Sequence, residues 1–105
     1  MKKLSYEKFF KNFSNPTRIA IISCLKDKAM SVGEIVECIG EEQSKVSHNL
    51  RNLIRCKLLK SKRDGKRMIY SLNKKTVGPM MHLVEAHVAS NCQTCDMDCA
   101  KCMGY

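Results

Sequence analysis

The sequence predicts an α+β fold, mainly α-helical, with about five helices and one β-hairpin. Three observations support this prediction. Apolar residues recur at helical spacing over most of the chain, the repeat changes to strict alternation around Tyr70, and 105 residues suit one domain with a modest core. We expect residues 1–90 to form this domain and residues 91–105 to form a cysteine-rich tail.

The first two helices are predicted from apolar spacing and from a capping signal. Residues 4–13 form a short helix whose apolar set is Leu4, Phe9, Phe10 and Phe13. Asn15 followed by Pro16 supplies a helix cap and a proline at the first helical position. A second helix therefore begins here, and we expect it to continue to about Lys28.

Two further helices follow, joined by a short link. Ser31 with Glu34 three residues later forms a capping-box pattern, and Gly40 ends that helix. Ser44 is expected to cap a fourth helix over residues 45–57. Its inner face carries Val46, Leu50, Leu53 and Ile54, and its outer face carries Lys45, His48, Asn49, Arg51, Asn52 and Arg55.

A β-hairpin is predicted after the fourth helix. Asp64-Gly65 lies between residues 58–63 and residues 66–72, and this dipeptide is a strong signal for a type I′ turn. Both arms place basic side chains beside the turn, so the hairpin is charged and projects from the domain. A last helix is expected over residues 74–90, apolar on more than one side.

Positive charge is concentrated in one part of the chain. The sequence has 19 Lys and Arg against 10 Asp and Glu, a formal net charge of +9. Residues 45–67 carry nine basic side chains with Asp64 as the single acid, whereas residues 34–42 carry four glutamates and no base. Such a basic stripe indicates a polyanionic partner. No signal peptide or membrane span is predicted, so we expect a cytoplasmic protein that does not bind membranes.

Two short helices joined by a three-residue link, the second basic outside and apolar inside, are typical of a helix-turn-helix. Such a motif places its second helix in the major groove of double-stranded DNA, and the start of that helix reaches deepest. Basic hairpin residues suit phosphates or the minor groove. The candidate DNA contacts are Gln43, Ser44, Lys45, Ser47, His48 and Arg51 on the helix, and Lys62, Arg63, Lys66 and Arg67 on the hairpin.

Three stretches resemble the ArsR/SmtB family of repressors: residues 15–18 (NPTR), 43–51 (QSKVSHNLR) and 64–72 (DGKRMIYSL). Members of that family are winged-helix regulators that usually repress metal or metalloid resistance genes and leave DNA when an effector binds. The resemblance implies a homodimer, formed through the first and last helices, on a palindromic operator. The surplus apolar surface of the last predicted helix agrees with this interface.

Two of the metal sites that occur in this family lack their ligands here. An arsenic-type site before the recognition helix would fall on residues 31–33, which contain no cysteine. A zinc-type site on the last helix would fall on Lys74, Thr76, His87 and Ser90. One imidazole cannot hold zinc, so we expect His87 to be a polar interface residue.

The resemblance implies a third version of the site, which joins the end of the recognition helix to the C-terminal tail. Here it would use Cys56 with the tail thiols Cys92, Cys95, Cys99 and Cys102. Thiolates select soft or borderline ions such as zinc, cadmium, copper(I) or trivalent arsenic, and none of these is expected to be required for the fold. On a straight helix Cys92 and Cys102 would lie about 15 Å apart, too far for one ion. Either the tail folds around an ion, or each CxxC pair uses Cys56 or the other subunit.

Two other readings of the tail cysteines remain open. The CxxC pairs could close as disulfides in a redox-responsive repressor, or pack as an apolar seam in a regulator without metal sensing. Their spacing matches neither common ferredoxin pattern. Cys24 and Cys38 fall within apolar helical patterns and are predicted to be core thiols.

Other classes of function are less well supported by the sequence. It contains no phosphate-binding loop, no paired carboxylates in a plausible cleft and no nucleophile motif, so an enzyme is not predicted. A basic protein that binds DNA or RNA without sequence preference would show an affinity insensitive to sequence and steeply dependent on salt. We therefore predict a sequence-specific transcriptional regulator, a repressor released by a thiophilic metal or metalloid.

Overall fold

The computed structural model describes residues 6–91, which form five α-helices and one three-stranded antiparallel sheet. The α+β winged helix-turn-helix prediction is confirmed. The elements in chain order are α1 (Tyr6–Lys11), α2 (Pro16–Cys24), β1 (Met30–Ser31), α3 (Val32–Ile39), α4 (Gln43–Arg55), β2 (Leu59–Asp64), β3 (Arg67–Leu72) and α5 (Val77–Asn91).

The start of α2 agrees with its predicted cap, but its end does not. Asn15 Oδ1 accepts hydrogen bonds from the backbone N–H groups of Thr17 and Arg18, at 2.9 and 3.2 Å. The helix ends at Cys24 rather than near Lys28. It stops early because the chain must turn there to enter β1.

The capping box of α3 is confirmed. The Ser31 backbone N–H donates to Glu34 Oε1 at 2.9 Å, and the Glu34 backbone N–H donates to Ser31 Oγ at 3.3 Å. Gly40 follows the helix with a φ of 72°, the left-handed conformation that glycine adopts without steric cost. Both ends of α3 are therefore encoded locally.

The fourth helix lies two residues earlier than predicted. It begins at Gln43, and the residue at its N-cap is Glu42, whose side chain makes no capping hydrogen bond. The prediction that Ser44 is the cap is therefore wrong. The helix ends at Arg55, because Lys57 has a φ of 66° and breaks the helical conformation.

The sheet has the order β1-β3-β2, with β1 pairing to β3 through Met30 and Tyr70. Strand β1 was not predicted, because two residues are too few to show alternation. In the hairpin Asp64 pairs with Arg67, so the two central residues of the turn are Gly65 and Lys66. Only Gly65 of these two has a positive φ, whereas a type I′ turn needs two. The type I′ prediction is therefore wrong, and the turn has glycine first, as type II′ requires.

A single core lies between α2, α3, α4 and the sheet. Its buried members are Ile21, Ile22, Leu25, Ile35, Val46, Leu50, Leu53, Leu58, Leu59, Leu72 and Val77. Helix α1 contributes no buried residue, and α5 contributes only Val77, its first residue. Helix α1 ends at Lys11, two residues before the predicted end. Most other apolar side chains of the two terminal helices lie outside this core, although Met81 of α5 packs against it.

Helix α5 begins three residues later than predicted and includes Asn91, the first residue assigned to the tail. The rest of the predicted tail, like residues 1–5, lies outside the described residues. Among residues 6–91, no helix is long and apolar enough to cross a membrane.

The prediction that Cys24 and Cys38 are core thiols is wrong. They form a disulfide between the last turns of α2 and α3, with their Cα atoms 6.7 Å apart. Cys38 is exposed and Cys24 is half-buried. The buried residue of α3 is Ile35, and Cys38, one turn later on that helix, lies at the edge of the core beside the end of α2.

Candidate nucleic-acid interface

Helix α4 separates an apolar inner face from a polar outer face. Val46, Leu50 and Leu53 are 0, 2 and 0% exposed and recur at a spacing of four and three residues. They attach the helix to the core on one side. The opposite side is left free to contact a partner.

The first half of α4 presents most of the predicted contact residues to solvent. The exposed ones are Gln43, Ser44, Lys45, His48 and Arg51, whereas Ser47 is half-buried. No acidic residue lies on α4, and its N-terminus carries the positive end of the helix dipole. This end of the helix therefore attracts phosphate and offers hydrogen-bonding groups to base edges.

Lys45 also has an acidic neighbour. Its Nζ lies 3.2 Å from Glu41 Oε2, and both side chains remain well exposed. An exposed pair of this kind contributes little stability and is screened by salt. Lys45 can therefore exchange Glu41 for a phosphate oxygen at small cost.

Asn49 is the residue of α4 that the sequence placed on the wrong face. It is 5% exposed, and its Oδ1 accepts a hydrogen bond from Arg18 Nε at 3.0 Å. Its Nδ2 donates to the Lys45 carbonyl oxygen at 2.9 Å. Arg18 Nη1 also donates to Asn12 Oδ1 at 2.8 Å. Asn49 therefore helps to position α4 on the core and does not lie on the outer face of that helix.

Sequence reasoning missed this network, although Arg18 gave a signal. Arg18 precedes Ile21, Ile22 and Leu25 by three, four and seven residues, so it lies on the buried stripe of α2. A charged side chain at such a position needs hydrogen-bonding partners within the fold. Asn12 and Asn49 supply them.

The side chain of His48 lies along the exposed surface of α4. Its Nε2 is 3.3 Å from Nδ2 of Asn52, one turn further along the helix. A neutral ring that accepts this hydrogen bond carries its proton on Nδ1. That N–H group is then available to donate to a base edge or a phosphate.

The hairpin of β2 and β3, here called the wing, is anchored at its base and charged at its tip. Leu59 and Leu72 pair across the base and are 3 and 6% exposed. Its predicted contact residues are all exposed near the tip: Lys62, Arg63, Lys66 and Arg67. The paired strands thus hold a basic tip on a rigid arm.

The described residues do not by themselves provide a metal site. Within residues 6–91, no group of three or more His, Cys, Asp or Glu side chains could hold an ion. Cys56 is a free, exposed thiol at the C-cap of α4, and His87 is exposed with Nδ1 3.4 Å from Asn91 Nδ2. The other predicted ligands, Cys92, Cys95, Cys99 and Cys102, lie outside the described residues.

The two terminal helices expose large apolar side chains. On α1 these include Tyr6 and Phe10, at 69 and 55%, and on α5 they are Leu83, Val84 and Val88, at 71, 49 and 46%. An apolar groove of about 510 Å³ lies between the helices and is lined by Phe10, Phe13, Ile19, Met80, Met81 and Val84. Contiguous apolar surface of this kind marks an interaction site.

Comparison with known proteins agrees with this architecture. Residues 13–62 match the family model of a helix-turn-helix domain. The HTH-type transcriptional regulator Rv0081 of Mycobacterium tuberculosis is 40% identical over 65 residues, which are 61% of this chain and 57% of that protein. Its crystal structure matches with a TM-score of 0.73 at 32% identity, covering 79% of this chain and 84% of that one.

Two further relatives extend the comparison. The probable mercury resistance operon repressor of Streptomyces lividans is 29% identical over 89 residues, covering 85% of this chain and 71% of that protein. The homodimeric winged helix-turn-helix DNA-binding domain of Mb0332 from Mycobacterium bovis matches with a TM-score of 0.69 at 25% identity, covering 86% of this chain and 91% of that one.

The chain thus spans a little over half the length of the curated relative Rv0081 and most of the solved domains. These relatives are regulators of transcription rather than enzymes. The Rv0081 and Mb0332 structures share the fold of this chain. The chain belongs to the ArsR/SmtB family of winged helix-turn-helix, DNA-binding transcriptional regulators.

Proposed function

We propose that this regulator binds a palindromic operator as a homodimer and represses transcription until its tail cysteines capture a thiophilic metal or metalloid ion. The observation that carries the DNA-binding part is the outer face of α4. Its exposed side chains are polar or basic, whereas Val46, Leu50 and Leu53 on its inner face are buried. The proposal places the protein in the cytoplasm, where thiols stay reduced.

Direct readout would come from the first turns of α4. Gln43, Ser44 and His48 offer donors and acceptors for base edges, and Arg51 lies one turn further along the same face. Ser47 is half-buried and is better placed to contact the backbone. Lys45 and the four basic residues of the wing tip would bind phosphates, or the minor groove where it is narrow.

The dimer would form through α1 and α5. The apolar side chains exposed on these helices would be buried between two copies, and the homodimeric state of Mb0332 supports a dimer of this fold. A two-fold dimer presents two copies of α4 to DNA. The operator would accordingly be an inverted repeat with half-sites about 34 Å apart, one turn of the duplex.

Effector sensing would use the thiols of the tail. Cys56 lies at the C-cap of α4, so an ion shared between Cys56 and Cys92, Cys95, Cys99 or Cys102 would act directly on the recognition helix. Zinc, cadmium and trivalent arsenic suit such thiolates. The relationship to a probable mercury resistance operon repressor supports sensing of a thiophilic ion.

The coupling needed for release is small. Ion capture would tie the tail to the end of α4 within one subunit or across the dimer. Because the half-site spacing tolerates little change, a coupling of about 1–3 kcal/mol would lower operator affinity about 5- to 150-fold.

The test is a fluorescence anisotropy titration of the reduced full-length protein on a fragment of its own promoter. Zinc, cadmium, arsenite and a mild oxidant are added separately. Three variants are compared: Cys56→Ser, a variant with the four tail cysteines changed to serine, and Cys24→Ser/Cys38→Ser as a matched control. We expect one ion to release the wild type and the control, and to leave the tail variant bound.

Other results would contradict parts of the proposal. Equal release of all proteins would exclude the tail as the sensor. Release by the oxidant alone, seen in the wild type and in Cys24→Ser/Cys38→Ser but lost in the tail variant, would make the tail a thiol switch. No release by any addition would leave a DNA-binding regulator without metal sensing, and equal affinity for a scrambled duplex would contradict operator recognition itself.

A further inference from the structure

We propose that Cys24 and Cys38 form a reversible dithiol–disulfide site, oxidised by small disulfides of the glutathione class, that fixes the end of α3 against α2. The pair is independent of the tail cysteines, because both residues lie within the helix-turn-helix region. The two Cα atoms are 6.7 Å apart, within the range that a disulfide spans.

The pair is accessible to a reagent in solution. Cys38 is exposed and Cys24 is half-buried, so an incoming thiolate reaches the sulfur of Cys38 first. Exposed disulfides exchange more readily with small thiols than buried structural ones. This exposure favours a labile bond over a permanent structural one.

The core does not need the bond. Ile21 and Ile22 on α2 and Ile35 on α3 are each 0% exposed, and they hold the two helices together without either sulfur. Reduction therefore leaves a folded domain. What it changes is the freedom of the last turn of α3.

The exchange is balanced as two thiol–disulfide steps. A Cys38 thiolate attacks the small disulfide, forms a mixed disulfide and releases one small thiol. The Cys24 thiolate then attacks the Cys38 sulfur, closes the intramolecular bond and releases the second thiol. The protein loses two electrons and two protons, and the small disulfide gains them. Reduction by two small thiols is the reverse.

The position of the bond links it to the recognition helix. Cys38 is two residues before Gly40, whose φ of 72° turns the chain towards Gln43, the first residue of α4. The other end of α3 is held by its capping box and by β1, which pairs with β3 of the wing. The N-terminal end of α3 is already held, and closing the disulfide fixes its C-terminal end as well.

The chemical part of the proposal is tested on the full-length wild type without DNA. The protein is equilibrated in buffers with graded ratios of reduced to oxidised glutathione, and its free thiols are then alkylated. Cysteines held in disulfides are next reduced and alkylated with an isotope-coded reagent. Trypsin places Cys24 in residues 19–26 and Cys38 in residues 29–45, so the two can be followed separately by mass spectrometry.

We expect both peptides to convert together within the glutathione range, and a sample digested without reduction to contain them linked to each other. Two results would overturn the proposal. The pair could stay fully oxidised or fully reduced in every buffer, or Cys24 and Cys38 could be found linked to tail cysteines instead.

The coupling to α4 rests on the DNA-binding function and is measured separately. Oxidised and reduced protein are titrated onto the promoter fragment, with Cys24→Ser/Cys38→Ser as the control. We expect the oxidised wild type to bind at least about fivefold more tightly than the reduced protein, with no such difference in the control. Equal affinity of the two wild-type forms would refute the coupling. Failure of every protein to bind DNA would instead count against the operator proposal.

Discussion

Arg18 on α2 donates a hydrogen bond from Nε to Oδ1 of Asn49 on α4, at 3.0 Å, and Asn49 is 5% exposed. The same guanidinium reaches Asn12 Oδ1 at 2.8 Å, just beyond the end of α1. One arginine therefore connects the recognition helix to the two helices that precede the helix-turn-helix. This network joins the buried apolar face of α4 in holding that helix on the body of the domain.

Replacing Asn49 with alanine is expected to destabilise the protein by about 1–3 kcal/mol, because Nε of the half-buried Arg18 loses its acceptor while Nη1 keeps only Asn12. Asn52→Ala is the matched control. Its amide contacts only His48 on the helix surface, so we expect a change within about 0.5 kcal/mol. Urea unfolding of both variants measures the difference. Equal stability of the two variants would show that the network contributes nothing.

Removing one basic side chain from the wing tip is expected to weaken DNA binding without changing its sequence preference. If Lys66 neutralises one phosphate, Lys66→Ala makes the negative slope of log affinity against log salt concentration shallower by about 0.9. Lys11→Ala on α1 removes the same charge outside the helix-turn-helix and the wing, and we expect its slope to match the wild type. A change of equal size in both variants would indicate a general effect of net charge.

A charge on the exposed face of α5 is expected to separate the dimer. Leu83 is 71% exposed in the single chain, so Leu83→Glu should leave the monomer folded while placing a carboxylate in the apolar interface. Sedimentation velocity should show a monomer, with circular dichroism unchanged. Leu83→Met, which keeps the apolar surface, should remain dimeric. A dimeric Leu83→Glu protein would exclude this face as the interface.

The Glu34 carboxyl of the capping box makes the stability of the folded protein depend on pH. Hydrogen bonds from the Ser31 backbone and hydroxyl, and then the nearby charges of Arg67 and Lys28, lower the pKa of the Glu34 carboxyl below its usual value. A carboxylate with a lowered pKa in the folded state stabilises the protein above its unfolded pKa, and that contribution is lost as pH falls through the folded pKa.

Glu34→Gln removes this titration and keeps a side chain that suits the position. Between about pH 5 and about pH 3, we expect the wild type to lose stability more steeply than the variant. Thermal unfolding at a series of pH values measures both slopes. Parallel curves would show that Glu34 titrates alike in the folded and unfolded states.

Local signals in the sequence predicted most of the fold. The Asn15 cap, the Ser31–Glu34 box and Gly40 each depend on neighbours in the chain, and all three appear in the structure as expected. The apolar stripe of α4 was also correct in its members Val46 and Leu50. These features need no knowledge of tertiary contacts.

Two errors were local, the Ser44 cap and the type I′ turn, but the others arose where distant residues decide the structure. Asn49 looked like an outer-face residue until Arg18, 31 positions earlier, was found beside it. The pairing of β1 with β3 and the bond between Cys24 and Cys38 likewise depend on how the helices pack. Most members of the two faces of α4 were predictable because both faces lie in one continuous segment, and the DNA contacts assigned to the outer face stay predictions. The roles assigned to Cys56 and the tail cysteines stay predictions.

The central claim is that the outer face of α4 reads the sequence of double-stranded DNA. It is tested most directly by selecting binding sites from a random duplex library with the wild type and with His48→Ala. We predict that the wild type enriches an inverted repeat with half-sites about 10 base pairs apart, and that the variant changes the preferred base at symmetric positions. Enrichment of no motif by the wild type, or of one identical motif by both proteins and by Gln43→Ala, would contradict the claim.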